Sequence, residues 1–129
     1  MVKQVIDVDG YWEVVVFYDL DYDFLDIVEF ELRKLNFSKA ALERLMNTLL
    51  IGKAKAVTCN SEENHVSVVI FNPHSSHADY INSIVHEAEH VKQAMLNAYD
   101  VEDKGELPAY TIGFIVMKMY EAFKKFLFT

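Results

Sequence analysis

The sequence predicts an α+β domain, a small antiparallel or mixed sheet packed against helices and followed by a C-terminal helix. Three observations carry this reading. Tyr11 to Tyr18 (YWEVVVFY) and His65 to Phe71 are β-branched and aromatic runs of strand length. Ser38 to Ile51 repeats apolar residues at helical spacing. Beyond Ala78, two long helical stretches are separated by the polar loop Tyr99 to Gly105.

Taken in order, Tyr11 to Tyr18 follows Gly10 and reads as a strand. Asp19 to Asp23 then leads into a helix, with Asp21 or Asp23 as its N-cap. The same acidic run resembles a calcium loop, but Phe24 stands where the loop needs glycine and Phe30 where it needs glutamate. Phe24 to Leu35 fits a helix loosely, with a strand pair as the alternative. Ser38 caps the next helix, in which Ala41, Leu42, Leu45, Met46, Leu49 and Leu50 share a face and Gly52 is the stop. Ala54 to Cys59 and His65 to Phe71 form two strands across the polar turn Asn60 to Asn64, with Val66, Val68 and Ile70 alternating. Asn72-Pro73 ends the second, and helices over Ala78 to Ala98 and Leu107 to Phe128 complete the chain. No repeat or linker divides it, so one domain spans residues 1–129.

Composition narrows the partners. Apolar residues at 52% and charged residues at 25% suit a packed core rather than a disordered chain. A net charge of −8, without any Lys/Arg cluster, argues against nucleic acid, whose phosphates need a basic surface. The single cysteine, Cys59, forms no intramolecular disulfide and suits a reducing compartment. MVKQVIDVDG has no apolar core of a secretory signal, and Lys118, Glu121, Lys124 and Lys125 interrupt the apolar C-terminal stretch. The expectation is a soluble cytoplasmic protein with no membrane partner.

Chemistry concentrates in SIVHEAEHVKQ, Ser83 to Gln93. Residues four apart in a helix are neighbours on one face, so His86 and His90 can offer two imidazoles to one ion. Glu87, turned by about 100° from His86, is placed to act as general base on water beside that ion. On a helical wheel Ile81, Ile84, Val85, Ala88, Val91 and Met95 form an apolar stripe nearly opposite the two histidines. Ser83, Ala94 and Asn97, all short, share the histidine face.

A catalytic zinc needs a third protein ligand and an open position. Glu102, Asp103 and Glu106 follow the motif; His65, His74 and His77 precede it. Glu106 stands out because Leu107-Pro108 places it at the entrance of the last helix, though acidic residues are common there for the helix dipole alone. Tyr110, one turn on, is a candidate donor to a developing oxyanion or a packing residue.

Strand, hairpin, a helix carrying HEAEH and a helix opening GELPAYTIGF together resemble a minimal zincin of the gluzincin kind. AYTIGF after a glutamate is also similar to small zincin-like proteins of bacterial and phage genomes. The resemblance covers roughly residues 54–120. It implies a zinc metallopeptidase in which His86, His90 and Glu106 bind Zn2+ and Glu87 activates water, acting on a peptide or protein substrate. The alternative is a catalytically quiet zincin-like metal-binding or regulatory module, because 129 residues leave little chain for a deep substrate cleft. The segment between His90 and Glu106 is shorter than in large gluzincin peptidases, and their downstream motif is absent. The resemblance also implies an edge strand beside the motif helix, for which His65 to Phe71 is the candidate.

The remaining features are bland. His74 and His77 line the cleft or sit in a loop, and Cys59 is a buried strand thiol. Trp12, Phe114, Tyr120, Phe123 and Phe126 are expected in the core.

Overall fold

A computed structural model describes residues 1–51 and 54–127, the side chains of 126 and 127 excepted. The expected helix stop at Gly52 and the expected core role of Phe126 therefore lie outside the described residues. The elements are β1 (Val2–Val8), β2 (Trp12–Tyr18), a 3-10 turn (Tyr22–Phe24) running into α1 (Leu25–Arg33), α2 (Lys39–Leu50), β3 (Ala56–Ser61), β4 (Val66–Phe71), α3 (His77–Ala98) and α4 (Glu106–Leu127). The fold is α+β, with one mixed sheet in the order β1-β2-β4-β3. β1 pairs antiparallel with β2, β3 antiparallel with β4, and β2 parallel with β4.

Strand β1 was not among the expected elements. Its signal is an inward alternation of Ile6 and Val8 ahead of Asp9-Gly10, whose φ values of 52° and 76° suit a hairpin turn. Glycine takes such a φ freely, and aspartate tolerates it better than most residues. Phe24 to Arg33 resolves as helix rather than a strand pair, because Val28 and Leu32, one turn apart, are both buried under the sheet.

Two cores flank the sheet. Val14, Val16 and Tyr18 of β2, with Val69 and Phe71 of β4, pack beneath α3 and α4. Val15 and Phe17, with Val68 and Ile70, point to the other face, where Val28, Leu32 and Leu49 of α1 and α2 cover them. A central strand buried on both faces reads as a continuous apolar run, which is why VVVFY shows no alternation.

This order corrects the expected edge. β4 lies inside the sheet, between β2 and β3, and β3 is the outer strand alongside α3. The strands stack this way because β4, with five consecutive buried residues, needs cover on both faces, whereas β3 is mostly half-buried. The buried face of α3 is also rotated from the expected stripe. Ile81 and Val85 are 39% and 45% exposed, while Tyr80, Ser83, Glu87 and Ala94 are buried. A helix wedged between a sheet and a second helix buries a wider arc than one packed on a single neighbour. Of the expected core aromatics, Trp12 and Phe123 are buried, Phe114 is half-buried and Tyr120 is exposed. Among the described residues no helix is long and apolar enough to cross a membrane.

Candidate metal centre

Helix α3 is capped by Ser76, whose hydroxyl accepts the Asp79 amide at 3.1 Å, and runs for 22 residues without glycine or proline. That regularity sets the motif geometry. His86 and His90 lie one turn apart on the exposed face, with Nε2 atoms 3.2 Å apart and rings nearly perpendicular. Two imidazole nitrogens bound to one tetrahedral zinc stand about 3.3 Å apart, given Zn–N bonds near 2.05 Å. The donor set and its spacing therefore fit a single divalent ion.

Glu87 lies beside the histidines on the side turned toward β3, and is only 4% exposed. Its Oε1 accepts the Thr58 hydroxyl at 3.0 Å, and its Oε2 lies 3.8 Å from His86 Nε2. A buried carboxylate needs a hydrogen bond and a compensating charge. Thr58 supplies the first. Among the described residues His86 is the only ionisable cation near enough to supply the second, so a metal ion at the histidines would sit where the site lacks positive charge. Cys59 on β3 is a buried strand thiol, as expected. Burial, and then the charge of Glu87, pushes it up to about 12, which leaves it a neutral thiol.

His86, Glu87 and His90 form the group of potential ligands among the described residues, their ligand atoms all within 4.8 Å. The other candidates stand elsewhere. Asp103 accepts Gln93 Nε2 at 2.5 Å and Lys92 Nζ at 3.1 Å, and the bond from Lys92 foremost holds its carboxyl below the usual range. Glu102 pairs with Lys104 at 3.4 Å on the surface. Glu106 opens α4, as expected, with its side chain exposed and outside the three-residue group. His65 stacks on Trp12 and meets the Tyr99 hydroxyl at 3.1 Å. His77 is the first residue of α3, set edge-on to Phe123.

Sequence reasoning missed two polar connections. Thr58 on β3 holds Glu87, and the only hint was its place in a strand ahead of the motif helix. His74 bridges the Asn72 carbonyl at Nδ1 (2.6 Å) and the Ser83 hydroxyl at Nε2 (2.7 Å), so it fastens the β4–α3 loop to α3. Ser83 and Ala94 are buried, and Asn97 is exposed. Tyr110 is 70% exposed and lines a cavity of about 310 Å3 with Tyr11, Tyr99 and Phe114, whose walls include neither histidine nor Glu87. No protein-family model matches this chain, and no curated protein or solved structure matches it either.

Proposed function

We propose that the protein is a zinc-dependent hydrolase of the zincin type, acting on peptide bonds. The observation that carries this is the 3.2 Å approach of His86 and His90 with the buried Glu87 carboxylate 3.8 Å from the first of them. His86 and His90 would hold a zinc ion, which when bound would supply Lewis-acid polarisation of a carbonyl and acidify water. Glu87 Oε2 takes the proton of the attacking water and returns it to the leaving amine. Thr58, bonded to Oε1, leaves Oε2 turned toward the histidines. β3 offers an outer edge beside α3, along which an extended peptide can add as a further strand. Glu106 is the proposed third ligand, and its joining the histidines requires the first turn of α4 to shift from the position described.

The close grouping of His86, Glu87 and His90 also favours a second reading, in which Glu87 is itself a ligand and the domain binds metal without turnover. One variant separates the two. Purified protein is expected to carry about one zinc per chain, the ion retained at a site with three protein ligands. Under the hydrolase reading, Glu87→Gln keeps that zinc and loses cleavage of a peptide library by roughly 100-fold or more. Loss of zinc in Glu87→Gln favours the binding module, and a parent protein with no zinc affinity overturns both.

A further inference from the structure

A concave feature lies at the end of the fold where the β1–β2 turn, the C-terminus of α3 and the first turns of α4 meet. Its volume is about 310 Å3, in the range of small-molecule sites. Tyr11, Tyr99, Tyr110 and Phe114 line it, with Asp9 contributing the only charged side chain among the described residues. Tyr11 and Tyr99 meet edge to face, with centroids 5.8 Å apart and planes at 85°, so two walls stand at a right angle. The Tyr99 hydroxyl donates to the Tyr11 carbonyl at 2.7 Å and also meets His65 Nδ1, which locks that ring before any ligand arrives.

The chemistry of these walls selects a ligand class. Among the described residues no lysine, arginine or histidine lines the cavity itself; Lys118 lies over the Phe114 ring, 5.7 Å from its centroid, and His65 is engaged by the Tyr99 hydroxyl. The Asp9 carboxylate is exposed and has no hydrogen bond or ion pair among the described residues, so a ligand seated beside it gains from carrying positive charge. A cation gains from the aromatic faces and from the carboxylate together. The chain's net charge of −8 adds a favourable long-range field. We propose that this cavity is an aromatic cage for a quaternary or alkylated ammonium group, separate from the metal centre and independent of whether that centre is catalytic.

Choline and 3,3-dimethylbutan-1-ol make a matched test, since the alcohol replaces the trimethylammonium by an uncharged group of the same shape. Each is titrated into the full chain and followed by amide chemical shifts. Choline is expected to give saturable shifts at Asp9, Tyr11, Tyr99 and Thr111, and to bind at least about fivefold more tightly than the alcohol. Tyr11→Leu, at an exposed position that keeps its carbonyl bond to Tyr99, and Asp9→Asn, tolerated at positive φ, should each weaken choline about two- to fivefold. Both should leave the alcohol unchanged. Equal binding of the two probes, shifts outside the cavity, no saturable choline shift, or unchanged choline affinity in both variants overturns the proposal.

Discussion

Nε2 of His86 and Nε2 of His90 lie 3.2 Å apart across one turn of α3, a spacing that two ligands of one tetrahedral ion require. Because the two rings already converge in this way on one helix face, the pair needs no rearrangement to receive an ion. Replacing either histidine by alanine is expected to lower zinc affinity by at least 100-fold, read by competition against a chromogenic chelator. The parent should melt at higher temperature with zinc, gaining about 2.7 kcal/mol at a free zinc concentration one hundred times the dissociation constant. Neither variant should show that gain, and parental affinity in both would remove the metal centre from the account.

Thr58 and Glu87 form the second test. The Thr58 hydroxyl is the neutral donor to a carboxylate that is otherwise sealed from water. Thr58→Val keeps the shape and removes the bond, and is expected to cost about 1–3 kcal/mol of stability, the usual consequence of leaving a buried polar group unsatisfied. Thr58→Ser should restore most of it. Urea unfolding midpoints of the three proteins decide the matter, and a valine variant as stable as the parent would show that Glu87 finds its donor elsewhere.

Asp79 makes stability depend on acid. Lys55 Nζ donates to both of its oxygens, at 2.6 and 2.7 Å, and this bond holds the carboxyl below the usual carboxylate range; the charges of Lys55 and, less, His74 act in the same direction. A depressed carboxyl contributes stability that is present above its unfolded pKa, near 3.9, and is lost as pH falls through the folded value. Asp79→Asn should therefore be less stable than the parent at neutral pH, with the difference closing below about pH 4. Denaturant midpoints measured across that range check the sign, and a constant difference at every pH would exclude this origin.

Ile115 tests how α4 is held. It is fully buried against the sheet and α3, in a core shared with Ile84, Ala88, Met119 and Phe123. Ile115→Ala is expected to cost about 2–5 kcal/mol, because transfer energy and an unfilled cavity add. Met117→Ala, on the exposed side of the same helix, should change stability by less than about 0.5 kcal/mol. Calorimetric melting of both variants provides the comparison, and equal losses would mean that the burial of α4 is misassigned.

Much of this protein is set by local chemistry that a linear reading captures. Ser38 and the apolar spacing after it define α2, and Ser38 Oγ does accept the Ala41 amide. The i, i+4 spacing of His86 and His90 places both imidazoles together, whatever surrounds the helix. What only the tertiary structure decided concerns neighbours remote in sequence. β1 is defined by pairing with β2, and its half-exposed composition is a weak local signal. β4 became an interior strand because β2 joins it in parallel across the intervening α1, α2 and β3, an order that alternation within β4 cannot reveal. The same long-range packing brought Thr58 to Glu87 and kept Glu106 outside the histidine group. Helix geometry is fixed by bonds four residues apart, so the sequence by itself determined that His86 and His90 are neighbours. Their surroundings depend on burial between distant segments, so only the folded chain decided them.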